Sequence, residues 1–170
     1  MHPTAIRNKS AASFEDLKPV CPILILHEDF PAYTQAVEVC RLMMERFASE
    51  LEFDIKCWNF IELGDPNCAR HVAKSAGMAD IILLSTRSAE LPVELDRWLD
   101  TFIERFKPDG LLALLVNTPP VATPESHPLR LRLEAWANRQ GMDFISLMAG
   151  RDAMAASLLP SLMVRFENRQ

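Results

Sequence analysis

The sequence predicts a three-layer α/β/α domain built on a doubly wound, mostly parallel sheet of five strands in order 2-1-3-4-5. Three observations carry this. From Val20 onward, apolar runs alternate with helical stripes, the signature of βαβ units. Two of the runs, Asp80-Ile-Ile-Leu-Leu-Ser85 and Gly110-Leu-Leu-Ala-Leu-Leu-Val116, are continuously apolar, as strands covered by helices on both faces require. A third run alternates strictly and therefore has one wet face, which places it at an edge.

The elements follow in order. Pro22-Ile-Leu-Ile-Leu26 is the first strand. It leads into a helix with Tyr33, Ala36, Val37, Cys40, Met43, Met44 and Phe47 at helical spacing. Asp29 suits its N-cap, and Pro31 its first turn, where the N–H that proline lacks would have no partner. The alternating strand sets Leu51, Phe53, Ile55 and Cys57 on one face against Glu52, Asp54 and Lys56 on the other. Asp65-Pro66 opens the second helix, which carries Ala69, Val72, Ala73 and Ala76 and stops at Gly77. After the third strand, Leu91, Leu95, Trp98, Leu99, Phe102 and Phe106 form a stripe closed by Pro108 and Gly110. The fourth strand, a proline-rich loop over 117–126, a helix with Leu129, Leu133, Trp136 and Ala137 inward, and a last strand over 142–147 complete the sheet. A final helix over 153–166 must kink or split at Pro160. The short last strand takes the second edge, and right-handed crossovers put helices on both faces.

A length of 170 residues with 49% hydrophobic and 24% charged residues fits one domain over 20–170, preceded by an aperiodic arm over 1–19. A net charge of −5 leaves no broad basic surface, so nucleic acid and anionic membranes are not the expected partners. The longest apolar run, Leu111 to Val116, is far too short to span a bilayer. The first residues carry Arg7 and Lys9 without the apolar core of a secretory signal, so the expected location is cytoplasmic. The four cysteines, Cys21, Cys40, Cys57 and Cys68, form no C-x-x-C pair and fall on separate elements, so they read as reduced, mostly buried thiols rather than a zinc site.

Open parallel sheets bind ligands outside the carboxyl ends of their strands, near the point where strand order reverses, here between the first and third strands. That rule selects His27, Glu28 and Asp29, then Trp58, Asn59 and Phe60, then Ser85, Thr86, Arg87 and Ser88, then Asn117 and Thr118. The turn His27-Glu-Asp-Phe-Pro31 has no glycine and two acids, which speaks against a phosphate cradle. No cofactor is expected. Glu28 and Asp29 either ligate a hard cation such as magnesium or simply cap a helix and face solvent. His27 is placed to serve as general base to Ser85, with Asp29 orienting the imidazole, although Ser85 lacks the G-x-S-x-G elbow that exposes a hydrolase nucleophile. Trp58 can stack on a flat ligand or pack at the rim, and Arg87 can meet an anion or stay solvated.

Ile23-Leu-Ile-Leu-His-Glu-Asp29, Asp80-Ile-Ile-Leu-Leu-Ser85 and Asp143-Phe-Ile-Ser146 resemble the strands of response-regulator receiver domains. In that resemblance Ser85 stands where the phosphorylated aspartate would be, and Leu147 where the lysine would be. Ala79-Asp-Ile-Ile-Leu-Leu-Ser-Thr86 and Pro92 through Asp100 are similar to the strand and helix beside the flavin in flavodoxins and flavin-dependent reductases, without their phosphate loop. Both resemblances imply a flavodoxin-like fold and neither carries over its family's chemistry. The function expected is a regulatory or protein-interaction module without phosphotransfer, binding a protein partner or a second copy of itself as a homodimer. The alternative is a small-molecule hydrolase, transferase or ligand-binding protein using the crevice at the ends of strands one and three.

Overall fold

A computed structural model describes residues 17–116 and 127–147, together with residues 160, 163–165 and 167. Five parallel strands form one sheet in the order β2-β1-β3-β4-β5. They are β1 (Val20–His27), β2 (Glu52–Asn59), β3 (Ile81–Thr86), β4 (Leu111–Val116) and β5 (Asp143–Leu147). Helices α1 (Phe30–Phe47), α2 (Pro66–Met78), α3 (Val93–Phe102) and α4 (Pro128–Arg139) lie between them. The three-layer fold and the strand order match the sequence expectation, because unbroken apolar strands demand cover on both faces.

That cover divides the core by strand parity. Ile23 and Ile25 of β1, Ile81 and Leu83 of β3, and Leu111, Ala113 and Leu115 of β4 meet α1 through Ala36, Val39, Cys40, Met43 and Phe47. Their alternate neighbours Leu24, Leu26, Ile82, Leu84, Leu112 and Leu114 meet α2, α3 and α4 on the opposite face. All three tryptophans belong to this second layer: Trp98 and Trp136 are buried in it, and Trp58 packs against it. Met163 packs on the α1 side.

Local signals set the helix starts. The Asp29 carboxylate accepts from the Ala32 N–H at 2.9 Å to cap α1, and Asp65 accepts from the N–H groups of Asn67 and Cys68 at 2.9 and 3.0 Å to cap α2. Two details differ from the sequence reading of α1 and of the thiols. Val37 and Met44 point outward, 39% and 45% exposed, while Val39 takes the inward place beside Cys40, because only positions 32, 36, 39, 40, 43 and 47 face the sheet. Cys57, on the edge strand β2, is exposed, whereas Cys21 and Cys40 are buried as expected and Cys68 is half-buried. Of the expected final helix, the described residues 160, 163–165 and 167 are helical; the rest of it, the N-terminal arm to residue 16 and the loop over 117–126 lie outside the described residues.

Candidate functional site

The carboxyl ends of β1, β2 and β3 come together through three chain segments. β1 and β3 run in register with His27 opposite Ser85, and β1 and β2 with His27 opposite Asn59. The chain then leaves β1 as Glu28-Asp29, β2 as a 3-10 turn over Phe60–Gly64, and β3 as Arg87-Ser88.

Glu28 organises this edge. One carboxylate oxygen accepts from the Thr86 hydroxyl at 2.8 Å and from the Arg87 N–H at 2.7 Å, and the other accepts from the Ser88 hydroxyl at 2.5 Å. Ser88 closes the loop on itself by donating its N–H to the Thr86 hydroxyl at 3.0 Å. The Glu28 main chain donates its N–H to the Ser85 carbonyl and accepts from the Asn59 amide at 3.2 Å, so all three strand ends are tied to one residue. Burial pushes the Glu28 carboxyl upward, but the donors from Ser88, Arg87 and Thr86 outweigh it and hold the group below its ordinary value.

Asp29 is likewise engaged. Burial raises it, but the Ala32 N–H together with the Arg87 guanidinium, which ion-pairs with its second oxygen, outweigh this and bring it below the usual carboxylate range. Both acids therefore stay ionised near neutral pH and serve as acceptors, not as proton donors. Their oxygens are occupied by protein donors, which explains the acidic turn without a cation. Among the described residues no cluster of three histidine, cysteine or acidic side chains is placed to hold a metal.

The expected pair His27 and Ser85 do lie side by side, on the α1 face of the sheet. The Ser85 hydroxyl, however, donates to the Ala32 carbonyl at 2.7 Å and the residue has no exposed surface. That bond staples β3 to the first turn of α1 and leaves the oxygen no route to a substrate. His27 stacks obliquely on Tyr33, with ring centroids 5.2 Å apart, and its buried Nδ1 has no hydrogen-bond partner among the described residues. Burial lowers its pKa, while the Asp29 backbone and the carboxylates of Glu62 and Asp29 pull the other way.

Trp58 and Asn59 both make contacts within the fold. Trp58 sits edge-on to His71 at 5.6 Å, and Phe60 is buried in the core. Asn59 accepts from the Ile61 N–H at 2.9 Å while Glu62 reaches back to the Asn59 N–H at 2.8 Å, a capping box for the 3-10 turn. The Asn-x-x-Glu spacing 59–62 is a legible signal that the sequence reading passed over. Asn117 and Thr118 lie outside the described residues.

Three apolar side chains in the segments that follow β1, β2 and β3 are exposed among charged neighbours such as Glu62 and Arg87. Phe30, Ile61 and Val93 are 76%, 74% and 66% exposed, and each opens or nearly opens the helical segment that follows a strand. The sequence reading assigned none of the three a role, because exposure of an apolar side chain at a helix start leaves no mark on hydrophobic periodicity.

No protein-family model and no curated protein matches the chain. Among solved structures, the crystal structure of Smu.1420 from Streptococcus mutans UA159 is similar at a TM-score of 0.47 and 11% identity, covering 86% of this chain and 99% of that one. A likeness at that level says nothing about function.

Proposed function

We propose that this chain is a non-catalytic regulatory or protein-interaction module, receiver-like in outline but without phosphotransfer, whose carboxyl-edge face docks a protein partner. The observation that carries the reading is the state of the strand-end polar groups: Glu28, Asp29, Asn59, Thr86, Arg87 and Ser88 bond to one another or to the backbone, while Phe30, Ile61 and Val93, in the segments that follow these strands, are exposed. A catalytic crevice keeps polar groups aimed at a substrate; a docking face keeps them satisfied and presents apolar side chains. Ser85, in the place of a receiver's phosphoacceptor, is buried, and Leu147, in the place of its lysine, is buried as well.

The test compares the wild type with a Phe30→Asp, Ile61→Asp double variant, both used as bait against lysate of the source cell. A partner captured by the wild type and lost from a variant with an unchanged melting curve supports the reading. Equal capture by both, or a small molecule bound stoichiometrically to the wild type in native mass spectrometry, overturns it. Incubation with acetyl phosphate should add no phosphoryl mass; a stable adduct would refute the non-phosphotransfer part.

A further inference from the structure

We propose that two copies of this chain pair edge to edge through β2, in an antiparallel ladder centred on Ile55. The inference is separate from the partner-docking face, because β2 presents its long side, not its carboxyl end, to the second copy.

β2 is an eight-residue strand with no proline in it, and among the described residues it pairs with β1 alone. The Glu52 N–H donates to the Pro19 carbonyl at 3.0 Å, so residue 52 turns its main-chain groups toward β1. Direction alternates along a strand, so Asp54 and Lys56 do the same, and Phe53, Ile55 and Cys57 turn their N–H and C=O groups to the free edge. A two-fold axis at Ile55 then makes hydrogen-bonded pairs of Ile55 with Ile55 and of Phe53 with Cys57 across the interface. Asp54 falls opposite Lys56 twice, in the non-hydrogen-bonded positions where side chains approach most closely.

The row is thus complementary to itself in charge, and on the other face it sets the half-buried Phe53 against the exposed Cys57. Neither Asp54 nor Lys56 has an ion-pair partner among the described residues. A lone lysine on an edge strand ordinarily deters pairing. Here the aspartate two residues before it supplies the counter-charge that makes a second copy the fitting occupant. The opposite edge is a poorer candidate: β5 has five residues, and its Asp143 already pairs with Arg165.

The test is a charge swap read by sedimentation equilibrium across protein concentration. Wild type should dimerise. Lys56→Asp and Asp54→Lys each create two like-charge contacts and should weaken the dimer by about tenfold. The double variant Asp54→Lys, Lys56→Asp restores complementarity in this register alone and should regain wild-type association, and an equimolar mixture of the two single variants should associate more tightly than either by itself. Melting curves check that each variant is folded. A wild type that stays monomeric at hundreds of micromolar overturns the proposal, whether the edge is free or covered by the chain's own residues 1–16. So does a dimer that the single reversals leave unchanged, which would place the contact elsewhere, or a folded double variant that fails to recover.

Discussion

Glu28 shows how one side chain replaces a ligand. The Thr86 and Ser88 hydroxyls and the Arg87 N–H converge on its carboxylate as they would on a bound anion, so the loop after β3 is ordered from within. Truncation by Glu28→Ala leaves these donors to water and should destabilise the fold by about 1–3 kcal/mol, measured from urea midpoints at pH 7. Two pH windows separate this residue from its neighbour. His27 has a lowered pKa when folded, so the unfolded chain takes up the proton first, and its stabilising effect is whole above its ordinary value of 6.5 and is lost as pH falls below it. Glu28 is also depressed, but its contribution holds down to its ordinary value of 4.5 and fades only under more acid conditions. His27→Leu should therefore flatten the urea midpoint as pH falls below 6.5 while leaving the more acidic loss in place. A wild-type midpoint that does not move between pH 8 and pH 5.5 would contradict the assignment. None of these bonds was legible in the sequence: each joins residues about sixty positions apart, and only the strand register brings them within reach.

Elements, by contrast, were readable almost throughout. Strand runs, stripes and the Asp29 and Asp65 caps depend on neighbours within a turn or two, and that information is local. The errors arose where a tertiary surface decides orientation: Val37 and Met44 fit the helical period nearly as well as Val39, and only the sheet selects among them. The connections into β4 and β5 show two different demands for glycine. A Cβ at Gly110 would stand 2.9 Å from the Lys107 carbonyl oxygen, so Gly110→Ala forces the backbone apart and should cost about 1–3 kcal/mol. Gly141 meets nothing within 4 Å but holds φ at +71°, so Gly141→Ala carries a conformational penalty of about 1–2 kcal/mol. Gly141→Asn should recover much of it, because asparagine tolerates that region, and Gly110→Asn should recover nothing; thermal melts of the four variants decide the matter.

At the scale of the molecule, one sheet is shared by two apolar layers of unlike chemistry. The indoles report on the α2, α3 and α4 side, while Cys21 and Cys40 lie in the α1 side. Burial pushes the Cys40 thiol up to about 12, so in the folded protein it resists labelling. Because both layers grip the same strands, they should be lost together: tryptophan fluorescence and the labelling of Cys21 and Cys40 are expected to share one denaturant midpoint. Separate midpoints would mean that α1 leaves the sheet as an independent unit.

A parallel sheet is a polar object, with every strand ending on the same side. The two-fold pairing proposed for β2 reverses that polarity across the axis, giving ten strands whose proposed docking faces look in opposite directions. Such an assembly cannot gather two partners side by side. It would act as a strut, holding them apart at its two ends, and its effect on any partner would depend on whether that partner is itself multivalent.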